Sequence, residues 1–531
     1  MEYDYVIVGA GSAGCVLANR LSAGGRQSVL LLEAGPRDRN PWIHIPLGYG
    51  KLFKDARLNW QYRTAAESEL LGREISQPRG KVLGGSSSIN GLVYVRGQRE
   101  DFDAWRDAGN RGWGYEDVLP YFKRSEAQSR GADDYHGAGG PLAVSDPSEP
   151  HELCDAFIAA AEARGYPRNP DFNGATQEGF GYFQATSRNG LRCSAAVAYL
   201  RPARRRPNLR VETQCHAARI TFDADRANGV EWRQGGVAHA AAARREVLVC
   251  GGAINSPQLL ELSGLGSARL LREHGIGVRR DLPGVGAGLQ DHLQVRCVIR
   301  CTEKLTLNDD MRSLWRRTTI GARYLLRRKG PLTISAGYAG GFFRTQAALT
   351  RPDAQIHFIT FSTDKMGDHL HPFSGFTASV CQLRPESRGC VHITSADPFA
   401  PPAIRCRYLS TETDRRVTVD ALQALRRILR ALPLRRYYAE EMEPGKSRHS
   451  DEDVLDFCRE RGASIYHPSC TARMGTDPLA VVDARLRVHG VAGLRVVDCS
   501  IMPTPVSGNT NAPVIMVAEK AADLLLEDAA A

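Results

Sequence analysis

Several features that define whole classes of protein are missing from this sequence of 531 residues. It has no apolar run of roughly 18 residues, which argues against a membrane-spanning helix. Its 13 cysteines include no Cys-x-x-Cys pair, which argues against a zinc ribbon or a disulfide framework and favours a reducing compartment. An apolar strand follows MEYD directly, without the pattern of a signal peptide. We therefore expect a cytoplasmic protein, and a peripheral contact with the inner membrane stays open.

Long runs of one charge are also missing, although the net charge is +10. The 69 Lys and Arg residues are interspersed with 59 Asp and Glu residues, and the densest basic run covers only residues 204–206. No nucleic-acid recognition motif accompanies these charges. We therefore expect no nucleic-acid partner, and we expect the basic surface to be solvated or to face anionic lipid.

The first 35 residues carry the pattern of a βαβ unit. An apolar run predicts a strand over residues 5–8, and apolar residues at helical spacing predict a helix over residues 12–22. Residues 28–33 form a second apolar run, which is typical of a parallel strand buried on both faces.

A glycine-rich turn, G-x-G-x-x-G, joins the first predicted strand to the helix. Gly9 permits the tight turn, Gly11 lets the backbone approach a pyrophosphate, and Gly14 lets the helix pack closely against the strand. The helix N-terminus then offers unpaired N–H groups to phosphate. Glu33 ends the second strand, where an acid hydrogen-bonds the ribose hydroxyls and disfavours a 2′-phosphate. This unit predicts a dinucleotide site, but not one for NADP.

Similar apolar segments recur near the end of the chain, whereas the middle contains alternating, strand-like segments. Late strands are predicted at residues 246–250 and 494–498, and late helices at residues 254–262 and 514–526. Strands in the middle are predicted at residues 354–361, 375–383 and 389–394. This order predicts an α/β fold in which an α+β domain is inserted into a discontinuous cofactor domain. The cofactor domain is assigned residues 1–155, 207–300 and 455–531, and the substrate-binding domain residues 156–206 and 301–454.

Two more glycine-rich stretches lie outside the first turn. One begins at Gly80 and reads GKVLGGSSSIN, and the other begins at Gly252 and reads GAINSPQLLELSGLG. Together they resemble the signature segments of the glucose–methanol–choline (GMC) family of FAD oxidoreductases. The resemblance continues in Asp291-His292 and in GNTNAP from Gly508, and it covers essentially the whole chain. It implies that the cofactor is FAD and not NAD.

The resemblance also implies a Rossmann-like FAD-binding domain with an inserted substrate-binding domain, and it assigns individual residues to the cofactor. The adenosine half is assigned to Gly9, Gly11, Ser12, Gly14 and Glu33, with Ala217 at the adenine. The pyrophosphate, ribityl and flavin side is assigned to Gly84, Gly85, Ser86, Asn90, Val93 and Asp498. Ile89 stands where some family members tether the flavin through a histidine, so FAD is predicted to be non-covalent.

Oxidation of an alcohol requires a base for the hydroxyl proton and an acceptor for the hydride. A base that titrates near neutral pH is typically a histidine, and the resemblance assigns this role to His467, after an apparent helix over residues 454–461. The second polar group is assigned to Asn509, with Asn511 in reserve. His467 and Cys470 are open to two other interpretations, as metal ligands or as a Cys–His nucleophile pair. No further Cys/His cluster completes a metal site, so no metal is expected.

Among GMC proteins, the resemblance is nearest to bacterial choline dehydrogenases and to membrane-associated aliphatic alcohol dehydrogenases. Tyr338 stands where an acidic residue precedes an Ala-Gly-Gly-Phe-like segment, which disfavours the fixed cation of choline and favours a neutral alcohol. The predicted function is oxidation of a primary alcohol to an aldehyde, with electrons passed to a quinone-type acceptor. Alternatives are choline dehydrogenase, an oxygen-using alcohol oxidase and, more remotely, a flavin-bearing lyase, a photodecarboxylase or a non-catalytic FAD-binding protein.

Overall fold

The computed structural model describes residues 1–365 and 367–530, and it contains two sheets of seven strands each. The first sheet contains, in spatial order, Leu209–Thr213, Val29–Glu33, Glu2–Val8, Val237–Val249, Arg226–Gln234 and His216–Asp223. Leu494–Val496 pairs in parallel with the end of Val237–Val249, although the two strands are far apart in the sequence. The α/β fold class is thus confirmed, with a mixed sheet whose parallel strands come from both ends of the chain.

Helix Ser12–Ser22 follows the first strand and packs against the last helix of the chain, Asn511–Ala530. An ion pair joins these helices, because Nη2 of Arg20 lies 2.7 Å from Oε1 of the fully buried Glu519. The hydroxyl of Tyr199 donates to the same carboxylate at 2.8 Å. The C-terminal helix therefore supports the helix that begins at the glycine turn.

The second sheet is antiparallel throughout and stands beside the first. It contains, in spatial order, Tyr438–Glu443, Leu293–Cys301, Gly375–Gln382, Ala354–Ile359, Ala339–Phe343 and Gly179–Tyr182, and Ala463–Ser464 pairs with Leu293–Cys301. Helices Glu152–Glu162, Glu412–Leu429 and Asp451–Arg461 pack on one face. The rings of Phe157 and Phe358 stack there with centroids 4.6 Å apart. The opposite face of the sheet carries polar residues, and it lines the cavity described below.

Shorter elements connect the two sheets. The short strands are Tyr62–Arg63, Ser76–Gln77, Glu126–Gln128, Leu142–Val144, Ser187–Arg188, Leu191–Arg192, Leu265–Gly266, Arg280–Asp281, Ala287–Leu289, Gly389–His392 and Ala403–Arg405. The remaining helices are Pro41–His44, Tyr49–Leu52, Arg99–Asp107, Tyr115–Ser125, Ala196–Leu200, Arg201–Ala203, Gly252–Leu262, Ala268–Glu273, Leu307–Arg312, Leu314–Arg327 and Leu432–Arg435. Single turns of 3₁₀ helix occur at Pro46–Gly48, Ser68–Leu70, Gly85–Ser88, Pro331–Thr333 and Cys499–Ile501.

Three of the predicted domain boundaries fall inside elements of the structure, and the one after residue 454 cuts helix Asp451–Arg461. The boundary at residue 155 cuts helix Glu152–Glu162, which packs on the second sheet. The boundary at residue 300 assigns most of strand Leu293–Cys301 to the cofactor domain, although this strand pairs within the second sheet. Sequence pattern marks apolar strands but not the sheet that each one joins, so the domain boundaries stay a prediction. Among the described residues, no helix is both long and apolar enough to cross a membrane.

Candidate active site

A long cavity extends from the glycine turn of the first sheet to the polar face of the second. It is lined by most of the residues assigned to the cofactor and by both assigned catalytic residues: Gly9, Gly11, Ser12, Glu33, Gly85, Ser86, Asn90, Val93, Ala217, Asp498, His467 and Asn509. Gly14 and Gly84 do not line it. The amide of Gly84 donates to the carbonyl of Ala10 at 2.7 Å, which holds the second glycine loop against the first.

The three glycines of the first turn have different surroundings. Gly9 has a φ of 101°, and a Cβ there would lie 2.5 Å from the carbonyl oxygen of Cys250. A Cβ on Gly14 would lie 1.9 Å from the carbonyl oxygen of Gly9, so Gly14 permits the helix to pack on the strand. Gly11 has no protein atom within 4 Å of the missing Cβ. The space in front of Gly11 is therefore left open to a ligand.

Two carboxylates line the cavity on the side of the first sheet. Glu33 accepts hydrogen bonds from the amides of Ala10 and Gly35, each at 2.9 Å. Burial raises the pKa of Glu33 to about 7, and the two amide donors favour its charged form. Asp498 accepts from the amide of Gly252 at 2.8 Å. Each carboxylate retains free lone pairs, so both can accept further bonds from sugar hydroxyls.

These features fit FAD. The N-terminus of helix Ser12–Ser22 meets the cavity at Gly11 and Ser12, and no side chain caps it. Its unpaired N–H groups and positive dipole end suit a pyrophosphate. Ile89 lines the same cavity, and its aliphatic side chain has no atom that could bond covalently to a flavin. Backbone amides, hydroxyls and carboxylates would therefore hold FAD here without a covalent bond.

A Gly11→Ala variant is expected to fold like the wild type but to bind FAD about tenfold or more weakly. The new methyl group meets no protein atom, so a loss of affinity would come from contact with FAD itself. Gly14→Ala is the matched control, because its Cβ collides with the backbone of Gly9 and should destabilise even the apoprotein. Titration of the apoprotein with FAD and thermal unfolding followed by circular dichroism separate the two effects. Full FAD affinity in Gly11→Ala would contradict a pyrophosphate at this turn.

His467 lies in an irregular segment that follows strand Ala463–Ser464. Tyr466 has a φ of 71°, a left-handed conformation that turns the chain into the cavity. The amide of His467 donates to Oδ1 of the buried Asp291 at 2.8 Å. Oδ2 of Asp291 accepts from three side chains, at 3.0, 2.5 and 2.5 Å: Gln77, Tyr408 and Ser464. Asp291 therefore fixes the backbone on which the histidine is mounted.

The protonation of the His467 ring follows from its neighbours. Nε2 of His292 lies 2.9 Å from the carbonyl oxygen of Leu383, which can only accept, so this nitrogen carries a proton. Nδ1 of the neutral His292 is then an acceptor, and it lies 3.1 Å from Nδ1 of His467. His467 must donate from Nδ1, which leaves its Nε2 without a proton. One backbone carbonyl thus selects the tautomer of both rings.

Asn509 lies on the Nε2 side of His467. Its Nδ2 is 3.1 Å from Nε2 of His467, and its Oδ1 accepts from Nε2 of Gln355 at 3.2 Å. Asn511 instead accepts from the hydroxyl of Ser12 at 2.7 Å. The structure therefore brings Asn509, and not Asn511, to the predicted base.

Three histidines occur close together at this end of the cavity, and burial favours the neutral form of each. Burial lowers the pKa of His467 well below the usual 6.5, and positive charge on His292, His357 or Arg79 would lower it further. Burial likewise lowers the pKa of His292, and it lowers that of His357 to about 4. His467 is therefore an unprotonated acceptor at neutral pH.

Cys470 does not act together with His467. Its thiol lies 3.5 Å from the hydroxyl of Ser469, and it is not among the residues that line the cavity. Burial raises the pKa of Cys470 to about 12, so the thiolate that a Cys–His pair needs does not form. Among residues 1–365 and 367–530, no group of three His, Cys, Asp or Glu side chains could hold a metal ion.

Tyr338 does not line the cavity either, in contrast to its predicted place at the substrate. Its hydroxyl donates to the carbonyl of Glu149, and its ring packs at 85° to that of Tyr182. The resemblance placed Tyr338 by its position directly before the segment Ala339-Gly340-Gly341-Phe342. In the fold, the Tyr338 side chain belongs to the apolar core that includes Phe157 and Phe358, and it does not reach the cavity.

Four polar residues near His467 were missed by sequence reasoning. They are Gln294 and Arg296 on strand Leu293–Cys301, and Gln355 and His357 on strand Ala354–Ile359. Alternate residues of a strand share a face, so each pair projects from the same side of the second sheet. Two polar residues at positions i and i+2 of an otherwise apolar strand are the signal that would have found them.

Comparison with known proteins gives a consistent result. Two family models described as GMC oxidoreductase match residues 3–294 and 385–518. The chain is 45% identical to the mitochondrial choline dehydrogenase of Homo sapiens, covering 99% of this chain and 90% of that protein. It is 42% identical to the alcohol dehydrogenase [acceptor] of Pseudomonas putida, covering 99% of this chain and 96% of that protein. Pyridoxine 4-oxidase from Mesorbium loti superposes with a TM-score of 0.89 at 32% identity, over 98% of both chains.

Proposed function

The chain belongs to the GMC oxidoreductase family, and on this premise we propose that it oxidises a primary alcohol to an aldehyde, with FAD as the cofactor. The observation that carries the proposal is the neutral imidazole of His467, whose unprotonated Nε2 meets Asn509 in a cavity that fits FAD. Two relatives that are named as alcohol and choline dehydrogenases support a substrate with a hydroxyl group.

In this mechanism the hydroxyl proton of the substrate passes to Nε2 of His467. Nδ2 of Asn509 donates to Nε2 in the free site and donates to the substrate oxygen as negative charge develops there. His292 keeps its acceptor Nδ1 against Nδ1–H of His467, so the reactive tautomer is held in place throughout. FAD supplies the hydride acceptor, at flavin N5.

Anaerobic mixing with primary alcohols tests this proposal. The flavin absorbance should bleach with a rate that saturates with alcohol concentration, and the product should be the aldehyde. A flavin that stays oxidised with every primary alcohol would favour the lyase or the non-catalytic alternative. For the acceptor, we propose a quinone over oxygen, and reoxidation of the reduced enzyme by decylubiquinone should outpace reoxidation by air. Faster reoxidation by air would make the protein an oxidase.

We also propose that the protein contacts a membrane surface through helix Leu314–Arg327, which we call the exposed helix. Four large apolar side chains on it are between 70% and 84% exposed: Leu314, Trp315, Leu325 and Leu326. At about 100° per residue, these positions fall within an arc of about 120°. Tyr324, the one fully buried side chain of the exposed helix, lies outside this arc. The apolar face therefore points away from the protein.

The charges around this face match an anionic bilayer. Residues 311–329 contain seven Arg or Lys residues and no Asp or Glu. An amphipathic helix with a basic polar face lies flat in the interface of anionic lipid, and each basic residue adds about 1 kcal/mol of attraction. Ala336, a few residues beyond the exposed helix, lines the active-site cavity. A lipophilic quinone or alcohol would then reach the cavity from the bilayer.

Vesicle sedimentation tests the exposed helix. The wild type is expected to bind vesicles with 30% phosphatidylglycerol and to bind pure phosphatidylcholine much more weakly. A triple variant, Trp315→Ser, Leu325→Ser and Leu326→Ser, should lose at least about tenfold in affinity because apolar area no longer enters the interface. Leu432→Ser is the control, since Leu432 is 80% exposed but lies outside this helix. The face does not contact lipid if the triple variant binds vesicles like the wild type. The same holds if the only effect of the triple variant is to dissociate a dimer of the protein.

A further inference from the structure

Arg296 has no role in the proposed chemistry, yet it lines the same cavity as His467. Its side chain is partly buried, and among the described residues no hydrogen-bond or ion-pair partner approaches it. A guanidinium carries five N–H donors in a planar fork that matches a carboxylate or a phosphate. Partly buried arginines are normally paired, so an unpaired one that faces a cavity indicates an anionic ligand.

The strand register gives the position of Arg296 relative to the base. Arg296 is paired with Ser379 on the neighbouring strand, and Ser379 is paired with His357 on the strand after that. Ser379 and His357 also line the cavity. Adjacent strands are about 4.8 Å apart, so the Cα of Arg296 lies roughly 10 Å from that of His357. His357 lies 3.2 Å from Gln355, which holds Asn509. A short alkyl chain could therefore span the distance between the guanidinium of Arg296 and the reacting hydroxyl.

Among the described residues, no carboxylate that lines the cavity forms an ion pair with Arg296. Glu33 and Asp498 are its only lining carboxylates among the described residues, and both accept amide donors on the side of the first sheet. Glu443, on the strand beside that of Arg296, forms its ion pair with Arg461 at 3.0 Å, and its charge interacts with Arg296 at longer range. The other lining cation, Arg79, donates to the carbonyl of Tyr466 at 2.7 Å. The guanidinium of Arg296 thus has no direct ion pair among the described residues and is free to pair with an anion at the substrate end of the cavity.

We propose that Arg296 binds an anionic group, a carboxylate or a phosphate, at the end of the substrate opposite the hydroxyl. This inference rests on the proposed oxidation of an alcohol and specifies its substrate class. It also disfavours choline as the substrate, because the guanidinium of Arg296 would repel a quaternary ammonium at this end of the cavity. Gln294 lies two residues before Arg296 on the same strand, and its side-chain amide offers no negative charge to such a cation.

Matched substrates of similar length test the inference. We expect the wild type to have a kcat/KM for 6-hydroxyhexanoate about tenfold or more above that for 1-hexanol, and above that for choline. In Arg296→Gln the ratio of the first two values should fall at least tenfold, and Arg296→Lys should restore part of it. Arg300→Gln, an exposed arginine on the same strand, is the control and should leave the ratio unchanged. The substrate 4-hydroxybutyl phosphate separates a phosphate site from a carboxylate site.

The affinity for a ligand that cannot react tests the anion site independently of turnover. Hexanoate, which cannot be oxidised, should perturb the flavin absorbance of the wild type with a Kd at least tenfold lower than in Arg296→Gln. Equal kcat/KM values for hexanol and both anionic alcohols, with no Arg296-dependent binding of hexanoate, would overturn the anion site. If no alcohol reduces the flavin but hexanoate still binds through Arg296, the oxidation fails and the anion site stands.

Discussion

Replacement of His467 by alanine is expected to slow flavin reduction by the best alcohol at least about 100-fold while FAD stays bound. Hydride leaves the carbinol carbon readily only as the hydroxyl loses its proton, and Nε2 of His467 is the free acceptor in the cavity. A positioned base contributes about 10²–10⁴-fold, which corresponds to roughly 3–5 kcal/mol of barrier. FAD is retained because its contacts come from the glycine loops, Glu33 and Asp498.

The pH dependence provides a second readout for the same variant. The base must be unprotonated, so wild-type kcat/KM should rise with pH through the pKa of His467 and then level off. Burial holds that pKa below 6.5, so the rising limb should lie on the acid side of this value. The limb should be absent in His467→Ala. Stopped-flow reduction across pH 4.5–8 measures both quantities. Near wild-type reduction by the FAD-loaded variant would remove His467 from the mechanism, and His292→Ala would be the next test.

Asp291→Ala is expected to cost at least about 3 kcal/mol of folding free energy and to slow flavin reduction as well. The substitution removes the acceptor for the amides of His292 and His467, at 2.9 and 2.8 Å, and for three buried side-chain donors. Each buried donor left without a partner costs about 1–3 kcal/mol. Because the amide of His467 is one of the five donors, the loss of stability and the loss of activity share one cause.

Urea unfolding of the FAD-loaded protein measures the loss of stability. Asp223→Ala serves as the control, since Asp223 is exposed at the end of a strand. If Asp291→Ala is too unstable to purify, Asp291→Asn keeps the shape but turns one acceptor into a donor, and it should show the same defect in smaller measure. Wild-type stability together with wild-type flavin reduction in Asp291→Ala would show that this carboxylate does not support the base.

The parts of the site that the sequence predicts are those encoded by short segments. Gly9, Gly11 and Gly14 lie within one turn, and their spacing alone indicates a nucleotide. Helix Ser12–Ser22 begins and ends where its apolar spacing predicts. His467 has no such local signal, because a single histidine in a loop has many structural explanations. Only the resemblance to a family singled it out.

The parts that the sequence does not predict depend on contacts between distant segments. His292 and His467 are 175 positions apart, and no periodicity places their Nδ1 atoms together. Arg296 reaches the row of Ser379 and His357 only through the register of three strands, which a shift by one residue would turn to the other face. The exposed helix also escaped notice, since its apolar positions look like those of a helix that packs in a core.

The order in which the segments of the first sheet are made has a consequence for biosynthesis. Strand Leu494–Val496 completes that sheet, and helix Asn511–Ala530 covers the helix that follows the glycine turn. Helix Ser12–Ser22 must therefore wait for a helix that is made much later. Until then helix Ser12–Ser22 lacks the helix that covers it and exposes apolar surface to chaperones and to aggregation. The cavity that fits FAD is complete only once residues 498–514 have been made, so the supply of cofactor at that stage should govern the yield of protein that matures.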